Sequence, residues 1–130
     1  PKTKKILFVA SDEGEFQDKC DKFDEICKFF ASNCNILVET AIAGRVADLS
    51  IVTFSPNLVV IFFKSYRQDT ICTLNLLSSF PEQKAILFVD DVIKKEVEYE
   101  LGILPTHQLI ISDALPVEQN NTQLRAVFDN

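Results

Sequence analysis

The side chains best suited to chemistry in this sequence are carboxylates that follow apolar runs. Asp12 and Glu13 come after "KKILFVA", and Asp90 and Asp91 come after "KAILFV". Oxygen donors of this kind suit a hard cation such as Mg²⁺. If the two runs end at one edge, Asp12, Glu13 and Asp90 form a candidate cation pocket; otherwise they are solubilising charge on exposed turns. Other chemistries lack their parts. The three glycines, Gly14, Gly44 and Gly102, build neither G-x-G-x-x-G nor G-x-x-x-x-G-K-[ST], so no phosphate-cradling turn is expected. There is no G-x-S-x-G elbow. His107 is the sole histidine, and it stands in a loop before a strand. Cys20, Cys27, Cys34 and Cys72 contain no C-x-x-C pair, which argues against zinc and redox roles.

Alternating elements must position these groups. "KKILFVA" (4–10), "NLVVIFF" (57–63) and "KAILFVDD" (84–91) are continuously apolar, as strands covered on both faces are. "ILVETAIA" (36–43) and "HQLIISDA" (107–114) complete five strands. Between the first two, Phe16, Cys20, Phe23, Cys27, Phe30 and Cys34 recur at steps of four and three, the core stripe of an amphipathic helix. That spacing makes three cysteines small hydrophobes on one face. "GRVADLSIVTF" is a short helix closed by Ser55-Pro56. "SYRQDTICTLNLLSSF" is a helix stopped by Pro81, with Leu77 on its apolar side. "VIKKEVEYELGI" ends at Gly102 and is expected to bury Val92, Val97 and Leu101. "PVEQNNTQLRAVF" is the last helix. The order βαβαβαβαβα implies a parallel sheet with helices on both faces.

Composition narrows the classes. Hydrophobic residues make up 47% and charged residues 25% of the 130, an ordinary globular balance that fits one domain. The formal net charge of −6 disfavours direct nucleic-acid binding. No apolar run reaches the roughly 18 residues of a membrane span. "PKTKK" carries no signal-peptide pattern, so a cytoplasmic location is expected. The chain starts at Pro1 without Met, so residues 1–130 are expected to be one domain of a longer protein.

Five βα units of this length, with "FVASDEGEF" at the first strand end and "SPNLVVIFF" in the middle, resemble the receiver domain of bacterial response regulators. The resemblance spans the chain and implies a flavodoxin-like α/β fold with strand order 2-1-3-4-5. It makes Asp12 and Glu13 the counterparts of the family's Mg²⁺-binding acidic pair. It sets Phe62 where the family carries its phospho-accepting Asp; a one-residue slip would put Ile61 or Phe63 there, and none accepts a phosphoryl group. The switch Ser/Thr falls at Asp90, and the Lys-Pro pair becomes Leu115-Pro116.

The resemblance therefore implies a receiver of the pseudo type, a phosphorylation-independent module for signalling or regulatory protein–protein interaction and not an enzyme. Asp12, Glu13 and Asp90 are expected as a residual acidic pocket, with Lys64 as their charge partner. No cofactor is expected; Mg²⁺ on Asp12 and Glu13 is the alternative. Receiver-type partners meet the face around helix four, strand five and helix five, which here gives Tyr99, Leu109, Ile111 and Val117. The expected partners are a protein, a second copy or an attached output domain, with no nucleic acid and no membrane. The competing expectation is a flavodoxin-like domain binding a metal or small ligand at the strand carboxyl edge.

Overall fold

The continuous apolar runs form the middle of one parallel sheet. The computed structural model describes residues 3–32, 34–63, 73, 75–102, 108–112, 117 and 125. Its strands are β1 (Thr3–Ala10), β2 (Asn35–Ile42), β3 (Leu58–Phe63), β4 (Ala85–Val89) and β5 (Gln108–Ser112). They pair in parallel in the order β2-β1-β3-β4-β5. β3 and β4 are buried at every position, because both their faces carry aliphatic or aromatic residues. This is the doubly wound order that the receiver resemblance implies, with the reversal of winding between β1 and β3.

Side chains alternate across the pleat, so the sheet organises two cores. Leu7, Val9, Val59, Ile61, Phe63, Leu87 and Val89 lie in one, with Ala47 and Ile51. Ile6, Phe8, Val60, Phe62, Ile86 and Phe88 lie in the other, with Ile26 and Phe30.

The helices are α1 (Glu13–Asp18), α2 (Cys20–Phe30), α3 (Arg45–Phe54), the helical residues 75–78 (α4) and α5 (Lys94–Leu101). α1 begins where Asp12 Oδ1 accepts the Glu15 backbone N–H at 2.8 Å, a normal N-cap. The single helix expected over the cysteine stripe is interrupted at Lys19, whose φ of −101° and ψ of 9° leave the helical region. The interruption turns Cys20 out to solvent. Ile26 and Phe30 are the fully buried residues of α2, while Phe16, Phe23, Cys27 and Cys34 pack against the core only in part.

Gly44 opens α3 at φ 107°, a conformation costly for any residue with a Cβ. Ser55 ends it in the left-handed region at φ 51°, and Pro56 prevents continuation. Asn57 then ties this turn to the start of β1. Its backbone N–H donates to Lys5 O at 2.8 Å, and its side-chain Oδ1 accepts from Lys5 N at 2.8 Å. Gly102 closes α5, as its position after the apolar stripe implies. Val92 is a correction: it is exposed, in the turn ahead of α5, and Ile93 packs inward instead. Among the described residues no helix is long and apolar enough to cross a membrane.

Candidate functional site

Near the carboxyl end of β3 the buried side chains are aromatic. Pro56 and "NLVVI" lead to Phe62 near the end of β3, which is 1% exposed. Parallel pairing sets Phe62 opposite Phe88. Its ring centroid lies 5.6 Å from Phe88, 5.1 Å from Phe23 and 6.4 Å from Phe8. Phe23 extends the cluster to Phe16 at 5.5 Å. Offset and tilted contacts at these distances suit the ring quadrupole. Phe63 points to the opposite core, and its carbonyl accepts the Asp90 backbone N–H at 3.1 Å. Neither side chain offers a nucleophile. The Lys22 ammonium sits 5.6 Å from the centroid of Phe88, a cation over the rim of the aromatic cluster.

The carboxylates expected to form an acidic pocket make local hydrogen bonds or stand exposed. Asp12 caps α1, and Glu13 is exposed at its first position. Asp90 Oδ1 accepts the Val92 backbone N–H at 2.9 Å, shaping the turn after β4. Its neighbour Asp91 accepts a hydrogen bond from the Ser112 hydroxyl, which links that turn to the end of β5. Among the described residues no three His, Cys, Asp or Glu side chains are placed to hold a metal ion. The convergence of Asp12, Glu13 and Asp90 on one cation is therefore not seen. Lys64 and His107 lie outside the described residues.

Sequence reasoning passed over Glu15, the buried acidic residue among the described residues. It is 5% exposed, and its Oε1 accepts from the Ser11 backbone N–H at 2.7 Å and from Ser11 Oγ at 3.2 Å. Oε2 is shut off from water, with no hydrogen-bond partner among the described residues. Burial pushes this carboxyl above its ordinary range, and the nearby Asp12 charge adds to that, against the Ser11 bonds and Lys19. The signal was legible: Asp12 followed three residues later by Glu15 is a variant of the capping box, with the glutamate reaching Ser11 rather than Asp12 itself.

The expected interaction face needs correcting in two members. Ile111 points into the Phe62 core beside Phe88, its partner across β4 and β5. Val117 is also buried there, because its backbone N–H donates to Glu25 Oε1 at 2.9 Å and holds it against α2. Arg125 adds to this docking: its Nη2 donates to Phe29 O and to Ser32 Oγ, each at 3.1 Å, with the guanidinium 4.5 Å from the Phe29 ring. Tyr99 is 86% exposed on α5. The Leu109 side chain lies outside the described residues.

Apolar exposure is concentrated elsewhere. Val46, Leu49 and Val52 stand out from α3, and two grooves run beside them. One, of about 610 Å³, is lined by Val52, Pro56, Phe80, Pro81 and Glu82 among others. The other, of about 500 Å³, is lined by Arg45, Val46, Asp48, Leu49, Val52 and Leu76.

No model of a known protein family matches the chain, and no curated protein matches it either. Solved structures do. The chain is similar to the beryllofluoride-activated N-terminal receiver domain of RstA from Klebsiella pneumoniae, at 18% identity and TM-score 0.56, covering 97% of this chain and 99% of that one. It is similar to a two-component transcriptional regulator AraC from Clostridium phytofermentans, at 15% identity and TM-score 0.62, covering 96% and 95%. It is also similar to the FeoB G-domain of Methanococcus jannaschii, at 13% identity and TM-score 0.58, over all of both chains. At such identities the likeness establishes the fold alone, a flavodoxin-like parallel sheet of order 2-1-3-4-5 with flanking helices.

Proposed function

We propose that this chain is a signalling or regulatory interaction module of receiver architecture that works without aspartyl phosphorylation and has no catalytic activity of its own. The observation that carries this is Phe62, enclosed by Phe8, Phe23 and Phe88 near the carboxyl end of β3, where the receiver reading expects an acceptor carboxylate. An apolar ring there supplies no nucleophile and no oxygen for a metal. Two further facts support it. Asp90 and Asp91 are engaged in fixing the β4 and β5 ends, which gives both carboxylates a structural use. The likeness to two receiver-bearing regulators favours signalling, while the likeness to a G-domain finds no counterpart in a phosphate-binding glycine turn.

The module would act in the cytoplasm by binding a protein partner, with Tyr99 as the exposed aromatic on the α5 side. No resident cofactor is assigned. The test is a titration with Mg²⁺, then Mg²⁺ plus beryllofluoride, followed by amide NMR. Unchanged signals at Asp12, Glu13, Asp90 and Phe62 are expected. A saturable shift at those residues would overturn the proposal and restore a ligand-binding acidic pocket.

A further inference from the structure

Helix α3 is apolar on two sides. Ala47 and Ile51 face the sheet, and α3 packs on β1 and β2. On the solvent side, Val46, Leu49 and Val52 follow at intervals of three and are 60%, 64% and 61% exposed. A helix that is hydrophobic around most of its circumference belongs in an interior. Nearby, Leu37 adds a half-exposed aliphatic side chain on the edge strand β2, on the same face as Ala41.

The charges on this surface say what covers it. Arg45 and Asp48 flank Val46 and Leu49 and line the same groove. They are spaced to pair with each other along the helix, yet no ion pair joins them among the described residues, and Asp48 Oδ1 is excluded from water without a hydrogen bond. One cation and one anion, a turn apart beside aliphatic residues, make a locally neutral patch. A uniformly basic partner would meet Arg45 with repulsion. A second copy related by a two-fold axis meets it with Asp48, and meets Asp48 with Arg45, because a two-fold interface is complementary to itself.

We propose that α3 is a homodimer interface: two copies pack Val46 and Leu49 together, and Arg45 of each copy pairs with Asp48 of the other. This rests on reading the chain as a partner-binding module, and it adds a self-association surface at α3 to the Tyr99 side.

The test is sedimentation velocity on the whole chain over the micromolar range. The wild type is expected to dimerise. Leu49→Glu, Arg45→Asp and Asp48→Arg should each weaken the dimer by about tenfold or more, with circular dichroism checking that the fold persists. Mixing Arg45→Asp with Asp48→Arg should restore association, since each then carries the complement of the other. A wild type that stays monomeric overturns the proposal. So does a dimer indifferent to Leu49→Glu, or one that the mixed variants fail to restore. None of these failures bears on the phosphorylation reading, which the beryllofluoride titration tests separately.

Discussion

Phe62 and Phe88 stand opposite each other in adjacent parallel strands, with ring centroids 5.6 Å apart and planes within 24°. The pair fills the core near the carboxyl ends of β3 and β4. Its exchange for a carboxylate would therefore be a core mutation, not a repair. Phe62→Asp should destabilise the fold by about 4 kcal/mol or more, through lost packing and a desolvated charge. Phe62→Leu should cost only about 1–2 kcal/mol. Urea unfolding of both variants measures the difference. A Phe62→Asp variant as stable as wild type would mean that water and a cation already reach this position.

Glu15 makes stability depend on pH in a defined direction. Its folded carboxyl holds its proton more tightly than the ordinary value of 4.5, chiefly because of burial. The folded state therefore binds more protons than the unfolded state in the window above that value. The stability from this group is fully present below about pH 4.5 and falls as pH rises through the higher folded value. Glu15→Gln should flatten that part of the profile, while its amide oxygen still accepts from Ser11. Denaturant unfolding between pH 4 and 8 distinguishes the two profiles. A wild-type profile parallel to that of Glu15→Gln would count against a buried, proton-retaining carboxyl.

The parts of the fold legible in the sequence were those where one residue type serves one purpose. "LVVIFF" and "AILFV" can only be strands covered on both faces, and they set the centre of the sheet. Ser55-Pro56 and Gly102 mark helix ends through backbone constraints that do not depend on distant partners. The less legible parts depended on long-range contacts. Val117 is buried in the core, and its N–H is held by Glu25, far away in sequence. Cys20 fits a heptad stripe, but the break at Lys19 takes it out of the core. At the candidate site, the apolar, aromatic end of β3 followed directly from "IFF". The dispersal of Asp12 and Asp90 into capping and turn bonds did not, because any exposed Asp can do either.

The cysteines should differ in reactivity. Burial pushes the Cys27 thiol up, and the nearby Asp24 charge pushes it in the same direction. Cys20 is exposed. Thiolate is the reactive form, so Cys20 should be alkylated by iodoacetamide well before Cys27 at neutral pH. Timed mass spectrometry of peptides reads this order. Equal rates would show that α2 opens on the timescale of labelling.

Asn57 ties two distant parts of the chain together. Its backbone and side chain form a reciprocal pair with the Lys5 backbone, binding the turn after α3 to the first strand. Asn57→Ala keeps the backbone bond and removes the Oδ1 acceptor. The Lys5 N–H lies near the surface, where water can replace part of what is lost, so the expected cost is about 1 kcal/mol. Asn57→Asp keeps the acceptor and adds charge assistance, so it should be close to neutral. Lys5 also donates through Nζ to Phe54 O at 3.2 Å, which leaves α3 attached in both variants. The effect should therefore appear as faster exchange of the Lys5 amide, with little change at Phe62. Amide exchange in Asn57→Ala tests this, and a loss of protection spread through β3 would show that the turn supports the whole sheet rather than one corner.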